Sequence, residues 1–87
     1  MELERDVERY LIRRVEEIGG ICLKHGQNGW PDRIVMLPGG KLYWVELKRG
    51  IGVQSDLQIH RTHELMQVGQ DVRTIWSKAE VDELLTT

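Results

Sequence analysis

Apolar residues recur along the chain with two different periods, and together they predict a small α/β domain. From about Leu3 to Ile18 they repeat every three or four positions, which is typical of one face of an amphipathic helix that ends at Gly19-Gly20. Short apolar and β-branched runs predict four strands. The predicted strands are Ile21 to Leu23, Asp32 to Leu37, Lys41 to Lys48 and Asp71 to Trp76.

Two more helices are predicted from capping residues. Ser55 and Gln58 have the spacing of a capping box, with Ser55 as the N-cap and Gln58 at the third helical position. This helix is predicted to end at Gly69, and Ser77 is predicted to cap a last helix that runs to Leu85. The order α-β-β-β-α-β-α predicts a small mixed β-sheet flanked by helices, an α/β fold.

Composition and charge narrow the class of protein. A chain of 87 residues has room for one core, so residues 1–87 are interpreted as a single domain. No signal peptide or long apolar run is visible, and Cys22 is the only cysteine, so we expect a cytoplasmic protein that neither enters a membrane nor forms an internal disulfide. A net charge of −2 argues against a histone-like binder held by bulk positive charge.

The segment Pro38-Gly39-Gly40 predicts a hairpin whose register brings charged residues together. If it forms a three-residue loop, Asp32 lies directly opposite Glu46, and directly opposed residues project from the same face of a sheet. Lys48, two positions beyond Glu46, projects from that face too. A two-residue loop would place Asp32 and Glu46 on opposite faces. The three-residue register therefore predicts two carboxylates and an amine at one end of neighbouring strands.

Two adjacent carboxylates repel each other unless a cation lies between them, and Mg²⁺ prefers carboxylate oxygens while keeping positions open for water and phosphate. Lys48 can then hold or deprotonate a water molecule, or contact a phosphate. The alternative is a surface ladder of ordinary ion pairs. We favour a site because the same strand face is expected to be buried through its apolar residues, Ile34, Met36, Leu42 and Trp44.

The first helix has acidic residues in or beside its apolar stripe. On a helical projection Glu4 falls between Leu11 and Val15, and Glu8 lies at the edge of the stripe. Because they are four residues apart, either or both can reach one metal ion. Glu4 has an equally good explanation as a first-turn acid favoured by the helix dipole.

In order along the chain, these residues resemble the VRR-NUC (virus-type replication-repair nuclease) family of the PD-(D/E)xK nuclease superfamily, which has a restriction-endonuclease-like core. The resemblance covers essentially the whole chain and rests on Glu4 or Glu8, Gly29-Trp30-Pro31-Asp32, Glu46-Leu47-Lys48, Gln58 and His63.

That resemblance implies roles for individual residues. Asp32, Glu46 and the backbone carbonyl of Leu47 would bind the metal, with help from the glutamate of the first helix. Lys48 would be the catalytic lysine, and Gln58 a motif residue behind it. The resemblance also implies that stand-alone members act as homodimers on branched or otherwise structured DNA.

Candidate DNA-contacting residues surround the predicted site. The loop from Lys24 to Trp30 is polar and glycine-spaced, and suits phosphate or sugar contacts, whereas Trp30 either stacks on a base or packs on the sheet. Arg33 and Arg49 flank the predicted ligands, although solvated arginines are an equally good interpretation. The candidates are Lys24, His25, Asn28, Trp30, Arg33, Arg49 and His63.

A structural zinc site is a weaker alternative. Cys22-x-x-His25 and His60-x-x-His63 together offer four ligands, but the combination is an unusual zinc pattern. We expect Cys22 to be a buried strand residue instead.

The sequence thus predicts a nuclease, dependent on Mg²⁺ or Mn²⁺, that hydrolyses phosphodiester bonds of branched, flap or junction DNA in replication, repair or recombination. The expected mode of cleavage is that of an endonuclease. The alternative is a non-catalytic module with a nuclease fold that binds DNA or a protein. A homodimer is expected because the second helix has two apolar sides, one with Leu57, Leu65 and Val68 and the other with Ile59 and Met66. A replication protein or helicase is the expected larger partner, and a phage-encoded chain would act in the host cytoplasm.

Overall fold

The computed structural model describes residues 2–50 and 53–86, and its elements follow the predicted order. The predicted loop 49–54 includes residues 51 and 52, which lie outside the described residues. The elements are α1 (Glu4–Glu17), β1 (Ile21–Lys24), β2 (Arg33–Leu37), β3 (Lys41–Leu47), α2 (Asp56–Gln67), β4 (Asp71–Ile75) and α3 (Lys78–Leu85).

The four strands form one mixed sheet in the order β1-β2-β3-β4. The first three strands are antiparallel and β4 runs parallel to β3. Leu37 pairs with Lys41, which confirms the three-residue hairpin loop. Gly39 and Gly40 both have positive φ angles, of 88° and 86°, which explains why glycines are needed in this loop.

The core lies on one face of the sheet, against α1 and α3. In α1, Val7, Leu11 and Val15 are fully buried, as their four-residue spacing predicts. They pack with alternate residues of the central strands and with the inner side of α3, in a cluster that contains Val35, Tyr43, Val45, Leu47, Ile75, Val81 and Leu84.

The expectation that Ile34, Met36, Leu42 and Trp44 are buried is wrong. These side chains project from the other face, where they are half-buried, or exposed in the case of Leu42. The reason is that α1 and α3 both cover the opposite face, whereas α2 packs against β4 at one side of the sheet. The face that carries Asp32 and Glu46 is therefore more open than the sequence indicated.

No helix within residues 2–50 and 53–86 combines the length and the hydrophobicity needed to cross a lipid bilayer.

Candidate functional site

Asp32 and Glu46 meet at one end of the sheet, as the hairpin register predicts. Arg33 pairs with Val45, so Asp32 and Glu46 are the next opposed residues. Asp32 Oδ2 accepts a hydrogen bond of 2.8 Å from the backbone N–H of Leu47, and the carbonyl of Asp32 accepts one of 2.8 Å from the N–H of His25. Asp32 is thus anchored on both sides, to β3 and to the end of β1.

Glu46 is a buried acidic residue in an unfavourable environment. Its exposed fraction is 3%. Burial raises the pKa of its carboxyl group to about 8, and a hydrogen bond with Asp32 and the negative charge of Asp32 add to this effect. The charge of Glu4 raises the pKa of Glu46 further, whereas the ammonium group of Lys48 lowers it. Two carboxyl groups in contact offer oxygen ligands that suit a hard divalent cation.

Lys48 is held by the first turn of α2. Its Nζ donates a hydrogen bond of 3.2 Å to Oε1 of Gln58. Gln58 also completes the predicted capping box with Ser55. Gln58 therefore makes both contacts, the capping box and the hydrogen bond with Lys48, while its part in catalysis stays a prediction.

The two glutamates of α1 occupy different environments. Glu4 is the first residue of the helix and is exposed, yet its charge acts on Glu46. Glu8 is half-buried, and its Oε2 accepts a hydrogen bond of 2.8 Å from Nε of Arg33. Arg33 is thereby paired within the chain, and its predicted contact with DNA phosphate stays a prediction.

A crevice of about 330 Å³ opens beside Asp32, between the loop before β2 and the start of α2. It brings together half of the residues that the sequence marked as candidates. Its lining includes Glu8, Lys24, His25, Asn28, Trp30, Asp32 and Gln58. Arg49 borders a neighbouring depression next to Glu4, and His63 lines a separate one with Met66 and Gln67.

Trp30 belongs to an aromatic cluster that the sequence did not indicate. The rings of His25, Trp30 and Trp44 contact one another at centroid distances of 5.4 to 6.1 Å, and the guanidinium of Arg61 lies 5.1 Å from the Trp30 ring centre. Arg61 has no special spacing relative to the motifs, so no sequence signal indicated this contact. The cluster holds the loop before β2 against β3 and α2. Base stacking by Trp30 stays a prediction.

The close approach of the loop to α2 depends on a glycine. Gly29 has a φ angle of +86°, and a Cβ at this position would lie 2.4 Å from Leu57 Cγ. The loop therefore packs directly on the residue that precedes Gln58, and a larger side chain would push the two segments apart.

The candidate metal ligands that contact each other at this end of the sheet are the side chains of Asp32 and Glu46. Within residues 2–50 and 53–86, no group of three or more His, Cys, Asp or Glu side chains is arranged to bind one metal ion. The zinc alternative is not supported, because His25 lies in the aromatic cluster and His60 is exposed beside Glu64. Cys22 lies in β1 as expected, but it is half-buried and not buried. Participation of Glu4 or Glu8 with the Asp32–Glu46 pair stays a prediction.

Comparisons with known proteins agree with this architecture. No sequence model of a known protein family matches the chain. A protein of Acyrthosiphon pisum secondary endosymbiont phage 1, named "Putative nuclease p44", is 36% identical over 72 residues, which cover 79% of this chain and 77% of the phage protein. A solved structure described as a VRR_NUC domain superposes with a TM-score of 0.80 at 28% identity, covering 95% of this chain and 94% of that one.

Fold and relatives together define a nuclease domain with a small mixed sheet. The chain belongs to the VRR-NUC family, which confirms the resemblance drawn from its motifs.

Proposed function

We propose that this nuclease domain hydrolyses phosphodiester bonds of branched or otherwise structured DNA in a reaction that depends on Mg²⁺ or Mn²⁺. The observation that carries the proposal is the buried Glu46 carboxyl group, in contact with Asp32 and within the electrostatic influence of Lys48. A buried acid whose ionisation is opposed by a second acid is typical of a site that a cation completes.

The residues that would hold the cation are Asp32, Glu46 and the backbone carbonyl of Leu47, with Glu4 or Glu8 from α1. Glu4 is supported by its electrostatic effect on Glu46, and Glu8 by its position in the crevice beside Asp32. When bound, a divalent cation polarises the phosphoryl group and lowers the pKa of water.

The chain's own residues supply the remaining steps. The N–H of Leu47 holds Asp32 in place, so that its carboxylate does not turn away from Glu46. The Nζ of Lys48, directed by Gln58, is the group that we propose to orient the attacking water and to receive or share its proton. Lys24, His25 and Asn28 line the crevice that would hold the flanking DNA, and Arg49 would contact it beside Glu4.

The experiment that tests this function is a cleavage assay on duplex, single-stranded, flap and four-way DNA with Mg²⁺, with Mn²⁺ and with a chelator. We expect cleavage with a divalent ion, fastest on a branched substrate, and none with the chelator. Calorimetry with Mn²⁺ should show binding to the wild-type chain and at least about tenfold weaker binding to Asp32→Asn.

A matched control distinguishes the loss of a proposed metal ligand from the loss of any one negative charge. Asp56→Asn also removes one carboxylate, at the exposed start of α2, and should bind Mn²⁺ like the wild type. If the wild-type chain binds neither ion and its DNA affinity is the same in Asp32→Asn, the alternative of a non-catalytic binding module is correct.

We also propose that two copies associate through the outer side of α2. Ile59 and Met66 lie on that side with exposed fractions of 42% and 59%, and together they leave an apolar stripe that a second copy can cover. Of the side predicted to cover the sheet, Leu65 is buried, but Leu57 and Val68 are exposed. An isologous contact through one helix face is the simplest way to cover them, and it would pair two active sites for two strands of a branched substrate.

Sedimentation equilibrium tests the association. We expect a species of about twice the 10.1 kDa chain mass at micromolar concentration, and a monomer for Met66→Glu. Ile21→Glu is the control, because Ile21 is comparably exposed at 54% but lies on the edge strand β1. A wild-type chain that sediments as a monomer at high micromolar concentration would contradict the proposal, and a monomer produced by Ile21→Glu alone would place the interface on the sheet.

A further inference from the structure

One oxygen atom links the capping box of α2 to the candidate catalytic lysine. Oε1 of Gln58 accepts a hydrogen bond of 2.9 Å from the backbone N–H of Ser55 and one of 3.2 Å from Nζ of Lys48. An amide oxygen has two lone pairs, so both of its acceptor positions are in use. The atom that closes the helix cap is therefore the atom that Lys48 contacts.

Ser55 holds Gln58 at two points. Its Oγ accepts a hydrogen bond of 3.2 Å from the backbone N–H of Gln58, while its own N–H binds the end of the Gln58 side chain. A glutamine side chain with three rotatable bonds would otherwise sample several rotamers. The bond from the Ser55 backbone N–H, which an alanine at this position would keep, selects one rotamer, and in this rotamer Oε1 faces Lys48. The Oγ bond holds the first turn of α2, so that Ser55 and Gln58 stay at the spacing that this rotamer needs.

We propose that Ser55 is a positioning residue of the active site. Ser55 is exposed and acts only through Gln58, which it orients so that Lys48 is held at the end of β3 beside Asp32 and Glu46. The proposal rests on the nuclease function proposed above and deepens it. It gives the N-terminus of α2 a role in the rate of the reaction, in addition to its role in helix stability.

The N-terminus of α3 has a serine cap similar to that of α2 and serves as an internal control for the role of Ser55. In α3, Ser77 Oγ accepts a hydrogen bond of 3.2 Å from the N–H of Glu80, the same distance as the bond from Gln58 to Ser55 in α2. Oε1 of Glu80 bonds to the N–H of Trp76 and to Ser77, and among the described residues it has no hydrogen bond from a lysine. Removing Ser77 thus weakens a helix cap of the same kind without affecting the contact with Lys48.

The test compares Ser55→Ala with Ser77→Ala in the full chain, on the branched DNA that the wild type cleaves fastest. Both variants should lose a similar amount of thermal stability, since each loses one side-chain cap. We expect kcat of Ser55→Ala to fall about tenfold with KM unchanged, because a small displacement of a catalytic group is costly to the chemical step. Ser77→Ala should keep the wild-type kcat, and Ser55→Thr, which retains a capping hydroxyl, should restore it.

A second measurement is independent of cleavage. The ¹⁵N relaxation of the Gln58 side-chain amide in the metal-free chain should report a rigid group in the wild type and in Ser77→Ala, and a mobile one in Ser55→Ala. Equal mobility in all three proteins overturns the proposal, as does an unchanged kcat in Ser55→Ala when Lys48→Ala is inactive. Absence of cleavage by the wild type on every substrate refutes the nuclease function instead, and the relaxation data then decide the Ser55 contact alone.

Discussion

Replacing Glu46 with glutamine is expected to abolish cleavage and, in the metal-free chain, to make the protein more stable than the wild type at pH 8 and above. The side chains are of similar size, and a glutamine amide can donate a hydrogen bond to Asp32. The loss of activity should reach about a thousandfold, because one of the carboxylates proposed to bind the metal is removed.

The gain in stability follows from the raised pKa of Glu46. Its pKa is about 8 in the folded chain and 4.5 for an unperturbed carboxyl, so the folded state binds more protons than the unfolded state between these values. The contribution of Glu46 to the free energy of unfolding is complete below about pH 4.5 and is lost as the pH rises through 8, with a slope of at most about 1.4 kcal/mol per pH unit. Glutamine does not ionise, so the free energy of unfolding of the variant does not fall in this way as the pH rises.

Thermal unfolding between pH 4 and pH 9, in a chelator and in Mg²⁺, measures both effects. The difference in melting temperature between Glu46→Gln and the wild type should grow with pH in the chelator and shrink when Mg²⁺ is added, because bound metal stabilises only the wild type. Glu16→Gln, which removes an exposed carboxylate from α1, is the control and should follow the wild type. If the melting temperatures of Glu46→Gln and the wild type change with pH in parallel, the pKa of Glu46 is not raised by burial and the prediction is wrong.

The second large effect is expected for Lys48→Ala. Cleavage should fall by about 10² to 10⁴-fold, which is the range that a positioned acid–base group contributes. Folding should change little, since Gln58 keeps its hydrogen bond to the N–H of Ser55 and the capping box of α2 stays closed. Binding of Mn²⁺ should persist, because Asp32 and Glu46 remain.

Cleavage rates at saturating substrate, together with calorimetry, check this prediction. Lys41→Ala is the matched control, because Lys41 carries the same charge and lies at the hairpin end of β3, whereas Lys48 directly follows the other end. A wild-type rate in Lys48→Ala would refute the assigned role of the lysine. Equal losses in both variants would show that the lysines act through the net charge of the chain.

Local patterns predicted the order of elements and the register of the hairpin. Each helix had a cap or a glycine stop, and the three-residue loop Pro38-Gly39-Gly40 was sufficient to place Asp32 opposite Glu46. Which face of the sheet is buried was not predictable in the same way. Alternation divides β3 into two faces that are both apolar, with Tyr43 and Val45 on one and Leu42 and Trp44 on the other, and the choice depends on where α1 and α3 pack.

The candidate site divides in a similar manner. The sequence correctly predicted which residues lie close together when strand register or one helical turn relates them, because backbone geometry fixes these distances directly. Contacts between residues far apart in the sequence were not predicted. Two examples are the contact of Arg61 with the Trp30 ring and that of Gly29 with Leu57, which both depend on how the loop before β2 packs on α2. The two contacts of Gln58, with Ser55 and with Lys48, correspond to two roles that the sequence analysis gave separately, and their meeting at one oxygen atom was not predicted.

Glu46 and Leu47 belong to β3, which is bonded to β2 on one side and to β4 on the other. An interior strand loses its backbone hydrogen bonds only when the sheet comes apart, whereas loops and edge strands open at lower cost. Amide hydrogens of this strand should therefore exchange with solvent at the rate of complete unfolding. The proposed metal ligands on β3 thus stay in place for as long as the whole domain is folded. Any adjustment of the proposed site to different substrates is expected in the loop before β2 and at the start of α2.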